Sequence, residues 1–187
     1  MIRLAVVGDI GSGKSYIAKQ FGYPVFNADS EVTKLYRKNR KCFNKLKKTL
    51  PKYIFSFPVK KIEISKAIIA NQKNLKKIIK IVHPEVQSSM DKFIKKNKNK
   101  KFVVLDIPLL MENKINRKND ILIFIDAKKK EIKKRLKKRH SINTKILKKF
   151  QLPVELKKKK ADFIIKNNFK SNSIKKNVKI ILRKILL

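Results

Sequence analysis

The chain has 187 residues, of which 42% are hydrophobic and 34% are charged. This balance indicates one globular domain with a sizeable core, and it excludes a disordered chain or a chain built to span a membrane. A single cysteine, Cys42, excludes an internal disulfide framework, and two histidines without a cysteine pair argue against a structural zinc site. Because the first apolar run begins at residue 2, we expect no signal peptide. The single cysteine fits a reducing cytoplasm, and since no apolar run approaches the ~20 residues that span a bilayer, we predict a cytoplasmic protein without membrane association.

The formal net charge of +38 comes from 51 Lys and Arg residues against 13 Asp and Glu residues. A charge of this size is typical of proteins that bind nucleic acid. The lysines, however, are spread over nearly every predicted helix and form no single stripe. Lys, Ile and Asn are abundant together and have codons rich in A and U, so a biased genome composition accounts for the charge. We therefore expect no specific nucleic-acid partner, only non-specific binding at low salt.

Residues 2–15, Ile-Arg-Leu-Ala-Val-Val-Gly-Asp-Ile-Gly-Ser-Gly-Lys-Ser, join an apolar run to a glycine-rich loop. The apolar half is typical of a buried parallel strand, and the second half fits the pattern of a phosphate-binding loop that opens a helix. The glycines allow successive N–H groups to face an anion. Lys14 can place its ammonium against the β- and γ-phosphates, and Ser15 can offer its hydroxyl to Mg²⁺.

A chance match in a glycine loop is the alternative, but strand, loop and amphipathic helix follow one another in the required order. The sequence therefore predicts binding of a nucleoside triphosphate. The predicted contact residues are Gly8, Gly11, Ser12, Gly13, Lys14, Ser15 and Tyr16.

In the first half of the chain, apolar spacing predicts helices over residues 16–21, 31–50, 62–82 and about 85–96, and a strand over 24–27. Gly22 is expected just after the first of these helices, and Asp29 or Ser30 can cap the second. Residues 51–60 are predicted to form a loop. The helix over 62–82 is expected to end at His83-Pro84, because proline disfavours the α conformation in the residue before it.

The second half is predicted to hold strands over 102–106, 121–125 and 161–166, a basic helical region over 128–150 and a carboxy-terminal helix from Ser171 or Ser173. Asp106 ends the first of these strands, where an acidic residue in a phosphate-loop protein commonly meets the Mg²⁺ shell; the alternative is that it caps a turn. The lysine runs at 128–130 and 157–160 are predicted to be solvated faces. Strands that alternate with helices predict an α/β fold, a P-loop NTPase parallel sheet flanked by helices.

Several short sequence motifs follow the phosphate loop in a specific order along the chain. After the loop come Asn27-Ala28-Asp29, His83-Pro84, Asp106-Ile-Pro-Leu-Leu-Met-Glu112, and Ala161-Asp162 with Asn167. In this order the chain resembles dephospho-CoA kinase from Leu4 to Asn167. The resemblance implies one kinase domain with a nucleotide core (about 1–30, 101–127 and 161–187), acceptor-binding helices (about 31–100) and a lid (about 128–150).

The resemblance also implies an activity: transfer of the γ-phosphoryl of ATP, with Mg²⁺, to the 3′-hydroxyl of dephospho-CoA, the last step of CoA synthesis. Asp29 matches the family's proposed catalytic base, which can orient the hydroxyl and accept its proton; its alternative role is a helix cap. Lys14 is the second catalytic candidate, and Ser15 and Asp106 are the metal candidates. The acceptor site is expected to include Asp29, His83, Pro108, Leu109, Leu110 and Glu112.

Arg135 and Arg139 fall in the stretch that matches the lid, where a cation can meet the transferring phosphoryl; a surface role is the alternative. The chain departs from the family pattern at Asp9, Asn27, Lys61 and Leu147. Asn27 stands where aspartate is usual, Asp9 replaces a loop glycine, Lys61 replaces an arginine and Leu147 stands at the usual lid arginine. We expect these departures to affect the turnover rate and the contacts with the acceptor more than the class of reaction.

Two other functions compete. One is another small-molecule kinase on the same scaffold, for a nucleoside monophosphate or a shikimate-like acceptor. The other is a basic nucleic-acid-binding protein switched by ATP, which would need a localised basic stripe with interleaved aromatic residues. ATP and dephospho-CoA are the expected partners, and we expect a monomer or a weak homo-oligomer.

Overall fold

The computed structural model describes residues 1–113, 115–138 and 151–187, and for Lys138 it describes the backbone alone. The basic helical region predicted over 128–150 is therefore described only in part. Arg139 and Leu147, which the sequence singled out, lie outside the described residues.

Five strands among the described residues form one sheet: β1 (Ile2–Gly8), β2 (Val25–Asn27), β3 (Phe102–Asp106), β4 (Ile121–Ala127) and β5 (Phe163–Asn167). Their order across the sheet is β2-β3-β1-β4-β5, and every neighbouring pair is parallel. All of β3 is buried, as expected for a parallel strand that helices cover on both faces. The predicted parallel sheet flanked by helices is confirmed.

The described helices are α1 (Lys14–Gln20), α2 (Ala28–Lys38), α3 (Arg40–Thr49), α4 (Lys61–Ala70), α5 (Lys73–Lys96), α6 (Lys129–Lys138), α7 (Val154–Lys159) and α8 (Ser171–Leu186). None of them is long and apolar enough to cross a membrane.

The carboxyl ends of the parallel strands meet at one edge of the sheet. Gly8, Asn27, Asp106 and Asn167 are the last residues of β1, β2, β3 and β5. The chain that leaves β1 continues to β2 on one side, whereas the chain that leaves β3 continues to β4 on the other side. The direction of winding therefore changes between β1 and β3, and ligands of open α/β sheets bind outside the strand ends at such a point.

The described chain divides into two units. The sheet unit consists of Met1–Asn27 and Asn97–Leu187, and the helical unit consists of Ala28–Lys96. In the sheet unit, side chains of β1, β3, β4 and β5 pack with those of α1 and α8. This core consists of Leu4, Val6, Ile17, Ala18, Phe21, Phe102, Val104, Ile123, Ile125, Ile165, Ile174, Val178 and Ile181.

In the helical unit, α5 packs against α2, α3 and α4. The helix predicted over 31–50 is wrong in extent, because α2 and α3 separate at Asn39. Asn39 has extended backbone, and its side chain accepts a hydrogen bond from the backbone N–H of Cys42 at 2.9 Å, which caps α3. Because α2 begins at Ala28, Asp29 and Ser30 lie in its first turn and not at the predicted cap position.

The helix predicted over 62–82 is also two helices, since Asn71 has extended backbone between α4 and α5. The predicted end at His83-Pro84 is wrong, and the residues from 85 onwards continue α5 with Pro84 inside it. A proline in a helix costs a backbone hydrogen bond. Buried side chains lie on both sides of it, including Val82 and Met90. Packing of this continuous apolar face therefore outweighs the lost hydrogen bond.

Helix α7 was not predicted, and the interpretation of 157–160 as a solvated face is wrong for Lys157. The Lys157 side chain is only 2% exposed and forms an ion pair with Glu112, 45 residues earlier in the chain. Lys159 and Lys160 are exposed as expected. A distant carboxylate thus decides which lysine of the run is buried.

Candidate active site

The phosphate loop between β1 and α1 lies at the change of winding direction in the sheet. Gly8, Gly11 and Gly13 all have positive φ angles, of 146°, 88° and 93°. At Gly13, a Cβ would also lie 2.6 Å from the side-chain nitrogen of Asn167. The loop therefore requires glycine at this position for its backbone and for its surroundings. The first N–H groups of α1, which begins at Lys14, have no intrahelical acceptor and attract an anion.

Lys14 is half-buried, and its ammonium folds back over the loop. Nζ donates hydrogen bonds to the carbonyl oxygens of Gly8 at 3.1 Å and Asp9 at 2.8 Å. The same Asp9 carbonyl accepts from the N–H of Ser12 at 3.1 Å. The backbone carbonyl at position 9 thus positions the lysine beside the loop, and because any residue supplies this carbonyl, the contact does not depend on the departure to aspartate.

Asn167 connects the phosphate loop to the end of β5. Its side chain is buried, donates through Nδ2 to the carbonyl oxygen of Ser12 at 2.7 Å and accepts through Oδ1 from the N–H of Phe169 at 2.8 Å. Both groups of the amide are therefore used. This pair of bonds fixes the loop relative to the residues that follow the last strand.

An aromatic contact lies next to this connection. Phe169 has a φ of 61°, and its ring is 3.5 Å from the position that a Cβ on Gly13 would occupy. The guanidinium of Arg135, on α6, lies 4.1 Å from the centre of that ring, a cation–π contact. Arg135 is exposed, so it combines a surface position with a contact at the loop.

Helix α6 packs against the phosphate loop, and helix α8 contacts the start of α1 just after it. A Cβ on Gly11 would lie 3.2 Å from Leu136 and 3.3 Å from Ile132, so α6 packs directly on it. Tyr16, which is 46% exposed, donates its phenolic hydrogen bond to Ser171 at the start of α8 at 2.9 Å. These contacts hold the loop through α6 and the start of α1 through α8.

Asp106 ends β3, the strand next to β1, and is only 2% exposed. Its Oδ2 accepts a hydrogen bond of 2.5 Å from the amide of Asn27, its register partner on β2. The departure at Asn27 therefore supplies a donor where an aspartate would place a second carboxylate. Ser15 is exposed in the first turn of α1.

The stretch from Pro108 to Glu112 follows β3 in the sheet unit. Leu109 has a φ of 58°, and Pro108 and Leu109 are half-buried. Leu110 is 1% exposed, so its side chain belongs to the core. Glu112 accepts hydrogen bonds from Lys157 and from the N–H of Leu152. Only Pro108 and Leu109 thus present accessible surface without such an internal role.

In the helical unit, the predicted acceptor residues lie on different helices. Asp29 is in the first turn of α2, and its carbonyl oxygen accepts from the Thr33 hydroxyl at 2.9 Å. His83 is half-buried in the middle of α5, and Lys61 is the exposed first residue of α4.

Cys42 is fully buried, and burial together with the nearby Glu85 carboxylate raises the pKa of its thiol, so it is no nucleophile.

Sequence reasoning missed four residues of this arrangement: Phe169, Leu152, Lys157 and Gln151, whose Oε1 accepts a hydrogen bond from the N–H of Ile10 in the loop. Phe169 combines a left-handed backbone with its ring contact, and a phenylalanine signals neither feature in a sequence. Lys157 is hidden in a run of lysines. Asn167 was noted only as a mark of the resemblance, and its contact with Ser12 is visible only in three dimensions.

The fold is shared with several solved structures. The Thermus thermophilus protein TT1252 is 24% identical, with a TM-score of 0.81 over 100% of this chain and 98% of its own. Dephospho-CoA kinase from Campylobacter jejuni is 24% identical, with a TM-score of 0.65 and coverage of 98% and 96%. Shikimate kinase from Acinetobacter baumannii is 12% identical, with a TM-score of 0.50 and coverage of 100% and 93%. Together with the phosphate loop, this likeness places the chain in the P-loop kinase fold.

Sequence comparison gives the family. The family model for dephospho-CoA kinase matches residues 2–173. Dephospho-CoA kinase from the Wolbachia of Brugia malayi is 34% identical over 98% of both chains, and that from Bartonella quintana is 35% identical over 87% of both. The chain therefore belongs to the dephospho-CoA kinase family, as the resemblance predicted.

Proposed function

We propose that this protein transfers the γ-phosphoryl group of ATP to the 3′-hydroxyl of dephospho-CoA, giving CoA and ADP. The observation that carries the proposal is the family match over residues 2–173, which includes an intact phosphate loop. The protein is thus a nucleotide-binding transferase of CoA biosynthesis. Another small-molecule kinase function is not favoured, because the curated relatives that match nearly the whole chain carry the same name.

ATP would bind with its phosphates against the glycine loop and the amino-terminal end of α1. The N–H groups and the ammonium of Lys14 then neutralise negative charge on the phosphates. This stabilisation matters most when the γ-phosphoryl is in transit, because phosphoryl transfer depends on positioning and on charge. Lys14 already lies over the loop through its bonds to Gly8 and Asp9, so a short side-chain movement brings it to the phosphates.

The oxygen donors near the loop fit Mg²⁺. Kinases hold this ion with one or two protein oxygens and with the phosphates, and do not use a closed protein cage. Among the described residues, no group of three or more His, Cys, Asp or Glu side chains could hold a metal. The hydroxyl of Ser15 and the carboxylate of Asp106 would hold the ion, which supplies charge neutralisation at the phosphates. Asn27 holds one oxygen of Asp106, which orients the carboxylate.

Asp29 is proposed as the general base that orients the 3′-hydroxyl and accepts its proton. Support comes from the family pattern and from its place two residues after the end of β2, the strand whose last residue pairs with Asp106. His83, Pro108 and Leu109 are proposed to contact dephospho-CoA. The buried side chain of Leu110 supports a packing role beside that contact.

The proposed kinase domain uses residues of about 31–100 for the acceptor and of about 128–150 as a lid. Arg135 and Arg139 are the proposed lid cations. A cytoplasmic location, a monomeric or weakly associated state and the absence of a specific nucleic-acid partner stay predictions.

A coupled assay of ADP release tests the proposal. The purified chain is mixed with ATP and Mg²⁺, with and without dephospho-CoA, and parallel reactions contain AMP, CMP or shikimate. Of these acceptors, we expect only dephospho-CoA to give rapid ADP release. Mass spectrometry should show that its product carries a phosphate on the 3′-hydroxyl. Faster turnover of another acceptor would contradict the proposal.

A further inference from the structure

Glu112 and Lys157 form a buried ion pair in the sheet unit. Their side chains are 9% and 2% exposed, and Lys157 Nζ lies 3.3 Å from Glu112 Oε1. The same oxygen accepts a hydrogen bond from the backbone N–H of Leu152 at 3.0 Å. One carboxylate thus holds the chain at two points, on α7 and just before it.

This pair differs from the other lysine contacts of the same run. Lys158, the next residue, forms its ion pair with Asp126 at 3.1 Å, but its side chain is 40% exposed. An exposed pair contributes little because water screens it, whereas removal of one member of a buried pair leaves an uncompensated charge. Glu112 and Lys157 therefore depend on each other, and Lys158 offers a matched control.

The residue before Leu152 touches the phosphate loop. Gln151 Oε1 accepts a hydrogen bond from the N–H of Ile10 at 3.4 Å. Ile10 lies between Asp9, whose carbonyl holds Lys14, and Gly11. Helix α7 also packs against β1, the strand that leads into the loop. A continuous series of contacts therefore runs from Glu112 through residues 152 and 151 to the phosphate loop.

We propose that Glu112 is a positioning residue of the ATP site and not a ligand of dephospho-CoA. Paired with Lys157, it holds the backbone at Leu152, so that Gln151 braces the phosphate loop at Ile10. The inference rests on the proposed function for its kinetic readout, but ATP binding measured without acceptor tests it independently. It replaces the acceptor-binding role that the family resemblance implied for Glu112.

Three variants separate positioning from acceptor binding. Glu112→Gln leaves the buried Lys157 ammonium without a counter-charge, so we expect the region around Leu152 to shift and the Kd for ATP to rise about tenfold or more, because a misplaced loop loses its contacts. The KM for dephospho-CoA should stay within about twofold of the starting value. Gln151→Ala removes the contact with Ile10 and leaves the Glu112–Lys157 pair in place; it should raise the Kd for ATP about threefold and leave the melting temperature unchanged.

The double variant Glu112→Gln, Lys157→Met removes both charges while an amide oxygen remains to accept from Leu152. We expect it to regain the melting temperature and the ATP affinity, because a buried pair replaced as a whole is tolerated. Lys158→Met, the control, should change neither ATP nor acceptor binding. Kd values come from calorimetry with ATP alone, and KM values from the coupled assay.

Several results would overturn the inference. One is a raised KM for dephospho-CoA in Glu112→Gln with an unchanged Kd for ATP, which would make Glu112 an acceptor ligand. Another is a double variant that regains stability but not ATP affinity. If Glu112→Gln does not fold, Gln151→Ala still tests the inference. An unchanged ATP affinity in that variant would show that the Gln151–Ile10 contact does not position the phosphate loop. A chain that binds ATP as expected but does not phosphorylate dephospho-CoA refutes the proposed function alone.

Discussion

The ammonium of Lys14 is held by two loop carbonyls and is proposed to contact the phosphates of bound ATP. We predict that Lys14→Ala lowers kcat by about 10²-fold or more, since a charge that stabilises the transition state is lost. The melting temperature should change little because Lys14 is only half-buried. Lys19→Ala, an exposed lysine later in α1, is the control and should keep full turnover. Near-normal turnover of Lys14→Ala in the coupled assay would contradict the assignment of the loop.

Asp29 is the residue for which a general-base role is proposed. Asp29→Asn keeps the shape and removes the charge, so kcat should fall by roughly 10²–10⁴-fold while the Kd for ATP stays unchanged. With Asn27 neutral, we expect no neighbouring carboxylate of the motif to substitute, which places the loss at the upper end. Glu31→Gln, in the same helix turn and paired with exposed Lys34, is the matched control. A loss of ATP affinity in Asp29→Asn would instead indicate a metal or structural role, and an unchanged kcat would leave a structural role in α2.

The two glycines that flank α1 test the loop as a structural element. Gly13 and Gly22 both have positive φ, of 93° and 73°, but only Gly13 has an atom within 4 Å of its missing Cβ. Gly22→Ala should cost roughly 1–2 kcal/mol of unfolding free energy through backbone strain alone, with ATP affinity unchanged. Gly13→Ala adds a collision with the amide of Asn167, so it should destabilise more and raise the Kd for ATP about tenfold or more. Thermal denaturation and calorimetry measure both quantities, and equal behaviour of the two variants would refute the close contact.

The excess of positive charge belongs to the whole molecule. If it reflects composition and not a polyanion partner, binding to nucleic acid should be weak, independent of sequence and steeply dependent on salt. Fluorescence titration with two duplexes of unrelated sequence, at roughly 50 and 200 mM salt, should show equal affinities that fall by orders of magnitude. A tight complex with one sequence that survives the higher salt would restore the nucleic-acid alternative.

Much of the sheet unit could be predicted because its signals are local. The strands at 2–8 and 102–106 are continuous apolar runs, and three glycines before Lys14 define the loop without knowledge of the rest of the chain. The helical unit was predicted less well. Apolar spacing continues across Asn39 and Asn71, so the pattern cannot show that each ends a helix, and Pro84 predicts an end that packing on both sides overrides.

The sequence by itself determined the fold class, the phosphate loop and the family, because these depend on residues that are adjacent or that follow in a set order. The tertiary structure decided which polar side chains support the loop. Asn167 reaches Ser12 across 155 positions of sequence, and Lys157 reaches Glu112 across 45. The identity of a lysine or an asparagine does not indicate such a partner. A buried polar group must find a hydrogen bond wherever the folded chain offers one, and only the packed molecule specifies where that is.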